Sequence, residues 1–300
     1  DPEPATPVEA VVEADLPPPP PQVKVNIAEN AGFVGGSSTA NIPPNLGSGG
    51  SSELTDFMQC FQAMAANGEE GKKLRKKGFS MADPNGNGLC SLAELEGFVL
   101  KSLLAKFPKD IKKKDDRGDV LEYGKGLFTA FRPCYFRAFA DAKDYKTDTE
   151  KVIEGTKKAS ADDFVSKGEF RLFCCAYIVI YAAMFDAFSK IDGGGAGRNA
   201  NDDRRIDLNE WLKGYRGITK YGFVALTGMG DEVAATGVFN SMDDNSGGVV
   251  LLEEFCTFIK TTELKASTEM GALLVADEAG GIGKQGRVTK LAGSEASAFI

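Results

Sequence analysis

The chain has 300 residues, and 42% of them are hydrophobic, which is enough to bury a core in one large or two modest domains. Its formal net charge of −8 argues against a general nucleic-acid binder and suits a protein that binds cations. It contains no histidine, which excludes Ser-His-Asp and Cys-His nucleophile systems and any zinc site that needs imidazole. No other catalytic constellation is visible, and we expect that the protein is not an enzyme.

The cysteines show no C-x-x-C spacing, and most of them lie among apolar neighbours on predicted helices. This pattern favours reduced, buried thiols in an intracellular protein. The six cysteines are Cys60, Cys90, Cys134, Cys174, Cys175 and Cys256.

Residues 1–50 are rich in proline, glycine and serine and include the proline run 17–21. This composition predicts an extended arm that buries no core of its own. An alternative is an arm that becomes ordered along a partner, with Val23, Val25, Ile27 and Phe33 as anchors. The numbered sequence begins at Asp1, so a preceding targeting or lipid-anchoring signal would not be visible in it.

Two helices are predicted before the first motif. The first has Ser52 as its N-cap and ends at Asn67-Gly68. The second starts near Glu69 and carries a run of basic residues over 72–77. We expect this run to be a solvated helix face; the alternative is a docking site for an acidic surface, such as a tubulin tail or an anionic lipid.

The segment Asp83–Glu94 has the spacing of an EF-hand calcium loop. Calcium prefers about 6 to 8 oxygen ligands, and the loop places oxygen donors at its first, third, fifth, seventh, ninth and twelfth positions. Gly88 at the sixth position permits the sharp turn. With only two formal charges among the ligands, we expect sensor-range or weaker affinity. The predicted ligands are Asp83, Asn85, Asn87, the Leu89 carbonyl, Ser91 and Glu94.

A helix over 92–107, a charged linker and a helix over 123–142 are predicted to follow. Val165 and Glu169 then fit the eighth and twelfth positions of a second EF-hand loop, but Lys158 stands where the first ligand belongs. We therefore predict a degenerate second unit with an expanded loop that binds no metal. The apolar run 172–185 is shorter than the roughly 20 residues that a membrane span needs, so a buried helix is expected.

A third loop ends in a clear pattern, with Asp207 and Glu210 at its ninth and twelfth positions. Starting the loop at Asp192 requires about seven inserted residues around the glycines 193–195. Counting back from Glu210 instead makes Asn199, Asn201 and Asp203 the earlier ligands, with Arg204 where glycine belongs. Both sets stay open, and the candidate ligands are Asp192, Asp203, Asp207 and Glu210.

The fourth loop spans 243–254, with Asp243, Asn245, the Val249 carbonyl and Glu254 as predicted ligands. Gly247 and Leu251 supply no side-chain oxygen, so weak or water-completed binding is expected. Residues 266–300 are predicted to be a tail.

The chain resembles the calflagins, a family of flagellar calcium-binding proteins, over roughly residues 70–262. The residues that carry the resemblance are 163–165, 169–174, 177–178, 184–186 and 191–192, together with the fourth loop. The resemblance implies calcium ligation at the matching positions of the first and fourth loops, association with the flagellum and a response to calcium. The chain departs from the family in its proline-rich arm, its enlarged third loop and the lack of a visible N-terminal acylation signal.

These patterns together predict an all-α protein of two paired EF-hand lobes, over 51–180 and 181–265, between two extended tails. In each lobe the eighth loop residues, Cys90 with Val165 and Ile206 with Val250, should pair in a short antiparallel bridge. The expected function is a ciliary or flagellar calcium sensor that acts on a protein partner, such as tubulin or another axonemal protein. The alternative is a structural EF-hand scaffold bound to axonemal microtubules, with little or no switching.

Overall fold

A computed structural model describes residues 42–66, 68–114, 120–143, 163–193 and 204–274. This part of the chain is mostly helical, so the predicted all-α class is confirmed. Several predicted features lie outside the described residues. They are most of the arm, the tail beyond 274, the first half of the second loop with Lys158, and the alternative third-loop ligands Asn199, Asn201 and Asp203.

In the first half of the structure, short strands follow or separate the helices. The elements are α1 (Ser52–Ala65), α2 (Glu69–Ala82), β1 (Leu89–Cys90), α3 (Leu92–Lys106), β2 (Lys112–Lys114), β3 (Val120–Glu122), α4 (Tyr123–Ala130) and α5 (Arg132–Lys143). In the second half they are β4 (Val165–Ser166), α6 (Lys167–Glu169), a π-helical turn (Phe170–Cys174), α7 (Cys175–Asp192), β5 (Arg205–Asp207), α8 (Leu208–Ile218), a 3-10 turn (Val224–Leu226), α9 (Glu232–Met242), β6 (Val249–Leu251), α10 (Leu252–Lys265) and α11 (Glu269–Leu274).

Helix α7 is the centre of the structure. This helix contains most of the apolar run 172–185, which the sequence predicts to be a buried helix. Nearly all of the side chains of α7 are buried. It packs against α1, α5, α8 and α10, and one continuous hydrophobic cluster joins these elements. The predicted boundary between two lobes, at residues 180 and 181, lies inside α7, and the continuous hydrophobic cluster extends across it. No helix in the described ranges is long and apolar enough to cross a membrane.

Two antiparallel strand pairs connect segments that lie far apart in the sequence. β1 pairs antiparallel with β4, with Cys90 opposite Val165. β5 pairs antiparallel with β6, with Ile206 opposite Val250. These are the residues expected at the eighth loop positions, and all four side chains are buried. In each strand pair, backbone hydrogen bonds therefore link two of the predicted loops, and the side chains at the eighth positions are buried together in the core.

Residues 42–50, the last part of the predicted arm, pack against the C-terminal half of the protein. Ile42 and Leu46 are only 2% and 7% exposed. The amide of Gly47 donates to the carbonyl of Tyr221 at 2.9 Å, and Lys190 Nζ donates to the carbonyl of Gly49 at 2.8 Å. The arm therefore ends before this segment. The predicted tail likewise starts later, because α11 is ordered and Met270 in it is fully buried.

Other sequence predictions need smaller corrections. Ser51, one residue before the predicted cap, caps α1 and accepts from the amide of Leu54 at 3.0 Å. The helix expected over 123–142 is interrupted at Phe131, which has non-helical dihedral angles. Pro133 explains the break, because proline lacks an amide donor and is tolerated only in the first turn of a new helix. The charged linker contains an unpredicted pair of strands, with Lys113 opposite Leu121.

Candidate metal centre

The first loop brings most of its predicted ligands into one hydrogen-bonded ring. Asp83 lies at the end of α2 and is 9% exposed. Its two carboxylate oxygens accept from the amides of Asn87 at 3.1 Å and Gly88 at 2.9 Å. Asn85 Oδ1 also accepts from the amide of Asn87 at 2.9 Å, and Asn85 Nδ2 donates to Glu94 Oε1 at 2.8 Å. The first, third and twelfth positions of the loop therefore face one another.

The end of the first loop is also the start of α3. Ser91 is the N-cap of this helix, and Glu94 lies in its first turn. Glu94 Oε2 accepts from the amide of Ser91 at 2.9 Å and from its hydroxyl at 2.8 Å. The Leu89 amide, at the start of β1, donates to Asn87 Oδ1 at 2.8 Å. This reciprocal capping box holds the Glu94 carboxylate at the loop.

The fourth loop repeats the hydrogen bonds of the first. Asp243 accepts from the amides of Gly247 and Gly248, both at 2.9 Å. Asn245 Nδ2 donates to Glu254 Oε1 at 2.7 Å, and Glu254 Oε2 accepts from the amide of Leu251 at 2.8 Å. Val249 begins β6, as Leu89 begins β1. Leu251 has no side-chain oxygen, so this loop lacks the hydroxyl that Ser91 provides in the first.

The third loop shows the same geometry at its two ends, separated by an insertion. Asp192 Oδ2 accepts from the amide of Arg204 at 3.1 Å, as the first aspartates of the other two loops do from their sixth residues. Arg204 has a φ of 61°, in the left-handed region that Gly88 and Gly248 occupy at 81° and 77°. The described geometry thus places Asp192 at the first position and the insertion between it and Arg204.

The exit of the third loop is complete. Asp207 caps α8 and accepts from the amide of Glu210 at 2.8 Å, while Glu210 Oε2 accepts from the amide of Asp207 at 3.0 Å. Trp211 follows directly, is fully buried, and donates through its indole N–H to the Ala235 carbonyl at 2.7 Å. The predicted ligands Asp207 and Glu210 therefore lie at the start of α8, and Asp203 lies outside the described residues.

The described end of the second loop keeps the capping arrangement. Ser166 caps α6, and its amide donates to Glu169 Oε2 at 2.5 Å. Glu169 is only 5% exposed. A glutamate therefore holds the start of the exit helix in all four units, whether or not the rest of the loop offers ligands.

The donor set fits a hard cation. The first loop offers carboxylate, amide and hydroxyl oxygens and no sulfur or nitrogen ligand, which suits calcium and not zinc. Across the described ranges, no three side chains of the Asp, Glu, His or Cys types lie together as a metal cluster. The first and fourth loops each have only two carboxylates among their predicted ligands, so they cannot form such a cluster. The third loop has three described carboxylates, Asp192, Asp207 and Glu210, and the structure does not bring them together as one. The sequence places Arg204 at the glycine position of the third loop, but it does not predict the hydrogen bond from the Arg204 amide to Asp192.

The cysteines are not part of these loops' ligand sets. All six are free thiols, and all except the half-buried Cys60 are buried. Burial, together with the carboxylates of Glu94 and Asp83, raises the pKa of Cys90 to about 12. The predicted reduced, buried thiols are therefore observed, and Cys90 has no tendency to supply a thiolate to the first loop.

No protein-family model matches the chain, and no curated protein matches it.

Proposed function

We propose that the protein is a calcium-binding EF-hand protein of the calflagin type that acts through contacts with a protein partner. Its four helix–loop–helix units form two EF-hand pairs, and the second unit does not bind metal. The first loop is the principal site, because each of its ligand positions carries an oxygen donor. The third and fourth loops bind more weakly. A ciliary or flagellar location rests on the calflagin resemblance alone.

The observation that carries the proposal is the hydrogen-bond pattern shared by the first and fourth loops. In both, the first aspartate accepts amides of the fifth and sixth residues, and the third-position asparagine donates to the twelfth-position glutamate. Two separate sequences fold into the same oxygen-lined turn and then enter a paired strand. The repetition of this set in two separate sequences supports a shared role as an oxygen-lined ligand site.

Asp83, Asn85, Asn87, Ser91, Glu94 and the Leu89 carbonyl would hold the ion in the first loop. A bound calcium ion supplies positive charge that neutralises the two carboxylates and satisfies the amide and hydroxyl oxygens. Glu94 links this site to α3, because the same carboxylate caps that helix through Ser91. In EF-hand sensors, calcium changes the angle between the two helices of a unit and exposes an apolar groove.

Isothermal titration calorimetry of the full chain with calcium tests the proposal. The wild type should release or absorb heat in a saturable isotherm in the micromolar range typical of sensors. Glu94→Gln should lose the tightest phase. Glu96→Gln is the matched control, since it removes the same charge two residues away on α3, where Glu96 pairs with Arg132. A wild-type isotherm that cannot be told from that of Glu94→Gln contradicts the proposal.

A structural scaffold is the second candidate, and one observation favours it. Each exit helix is capped by its own glutamate, including Glu169 in the unit whose first ligand position carries lysine. The units therefore have a means of holding their shape that does not depend on metal. This candidate predicts co-sedimentation with stabilised microtubules that is equal in calcium and in a calcium chelator. Binding that requires one of the two conditions argues against it.

A further inference from the structure

A basic pocket lies between α2 and the chain that leaves the second loop. Its volume is about 360 Å³, near the lower end of the range of about 300–1,000 Å³ for pockets that bind small ligands. Five of its lining residues are cationic, and no acidic side chain lines it within the described part of the chain. The five are Lys72, Arg75, Lys76, Lys167 and Arg171.

Most of the cationic groups of this pocket have no acidic partner among the described residues. Lys72 pairs with the exposed Glu69 at 2.7 Å, whereas Lys76, Lys167 and Arg171 form no ion pair with any described residue. The chain as a whole is acidic, with a net charge of −8. A local concentration of positive charge on such a protein attracts an anionic group selectively to this face.

Arg75 is the buried member of the set. It is 4% exposed, and its guanidinium donates through Nη1 to the carbonyls of Met64, at 2.8 Å, and Ala66. Its Nε is buried and has no hydrogen-bond partner. Burial lowers the pKa of Arg75, and the nearby charge of Arg171 lowers it further. An anionic group in the pocket would reduce the charge repulsion between Arg75 and Arg171.

The pocket also has an apolar part. Phe79 and Phe170 line it, and their rings meet edge to face with centroids 5.4 Å apart. Phe170 and Arg171 belong to the π-helical turn, a feature that often marks functional sites. A cavity with phenyl rings and a cationic rim fits an apolar side chain flanked by carboxylates better than it fits a single small anion.

A membrane surface fits this pocket less well. Peripheral proteins insert exposed apolar side chains beside their basic residues. The large apolar side chains that are exposed in the described ranges, such as Val224 and Val233, do not line the pocket. Phe79 and Phe170 are 6% and 0% exposed, so neither is an exposed apolar side chain that could insert into a lipid surface.

We propose that the pocket between α2 and the π-helical turn binds an acidic peptide segment of a partner protein, with an apolar side chain against the wall that Phe79 and Phe170 line together and carboxylates on the surrounding cations. This inference rests on the proposed function in one respect, namely that the chain acts through contacts with a protein partner. Peptide binding is measured apart from calcium binding, so either proposal can fail while the other stands. α2 leads into Asp83, so calcium in the first loop is expected to change the affinity of the pocket.

Fluorescence anisotropy with a labelled pentapeptide, one phenylalanine between two pairs of glutamates, tests the proposal on the full chain in a calcium chelator. The same peptide with glutamines in place of glutamates is the charge control, and one with alanine in place of phenylalanine probes the apolar part. The pocket variant is Lys76→Gln with Arg171→Gln, which leaves the structural Arg75 in place. Lys101→Gln with Lys213→Gln removes the same charge from exposed positions outside the pocket.

The glutamate peptide should bind, and the pocket variant should bind it about tenfold more weakly, as expected when two charge-assisted contacts are lost. The surface control should match the wild type, and both controls and variants should show the wild-type circular dichroism spectrum. Equal losses in the pocket and surface variants would overturn the proposal, since they would indicate general charge attraction. It would also be overturned by equal binding of the glutamine peptide, or by pocket-dependent binding of anionic vesicles without binding of the peptide.

Discussion

Replacing Asp186 by Asn is expected to destabilise the protein by about 2–3 kcal/mol. Asp186 lies on α7, is 7% exposed and accepts three hydrogen bonds. Its partners are the Ser51 amide at 3.0 Å, the Ser51 hydroxyl and the Tyr221 hydroxyl at 2.6 Å. Burial and the Asp186 carboxylate raise the pKa of Tyr221, so its hydroxyl remains a donor.

The magnitude follows from these three contacts. Hydrogen bonds to a charged acceptor contribute about 1.5–3 kcal/mol each and neutral ones about 0.5–1.5 kcal/mol, so each bond loses about 1 kcal/mol. Removing a buried charge also relieves its desolvation cost, which offsets part of the sum. At about 2–4 °C per kcal/mol for domains of about 150–250 residues, the melting temperature should fall by about 5–10 °C.

Thermal unfolding followed by circular dichroism, in a calcium chelator so that ligand binding adds nothing, measures this change. Tyr221→Phe removes one of the three bonds and should lower the free energy of unfolding by about 1 kcal/mol. The double variant should be only slightly less stable than Asp186→Asn alone. Asp244→Asn, at an exposed position with the same charge change, should melt with the wild type. The reasoning is refuted if Asp186→Asn also melts with the wild type, or if Asp244→Asn falls equally.

Three further measurements follow from the structure. Trp211 is the one tryptophan of the chain and follows Glu210, so calcium in the third loop should change its fluorescence, and Glu210→Gln should abolish that change. Burial raises the pKa of Glu263 in the folded protein. The stability that this group contributes is therefore present below the ordinary glutamate pKa and is lost as the pH rises through the raised folded pKa. In urea denaturation across this pH range, the free energy of unfolding of Glu263→Gln should not show this loss. Burial raises the pKa of Cys60 to about 11, but Cys60 is the least buried of the six thiols. It should therefore react first with Ellman's reagent, and the other five should react only when the protein unfolds.

The features that sequence predicted well are those set by neighbours in the chain. The start of α3 follows from Ser91 and Glu94, because a capping box needs only residues three apart. The pairing of Cys90 with Val165 follows from loop positions that the ligand spacing fixes. The buried helix around α7 follows from an apolar run too short to span a membrane.

The features that sequence missed depend on contacts between distant residues. The segment 42–50 has the composition of a flexible arm, but two apolar side chains and the hydrogen bond between Gly47 and Tyr221 hold it against the core. In the third loop, residue counting left Asp192 and Asn199 as rival first ligands. The hydrogen bond from the Arg204 amide to Asp192 bridges the insertion, and no local pattern in the sequence contains that information.

The double use of the twelfth-position glutamate has a consequence for how such loops change in evolution. Glu169 caps its helix in a unit that starts with lysine at the first ligand position, so losing the metal does not free this residue to vary. Under the proposed function, a mutation that removes an early ligand costs calcium affinity and hydrogen bonds within the loop, whereas one that removes the glutamate also costs the start of a helix. Loops of this kind should therefore lose the ligands of their first half before they lose the glutamate. A glutamate at the twelfth position then indicates where a metal site once was, and not that the loop binds metal now.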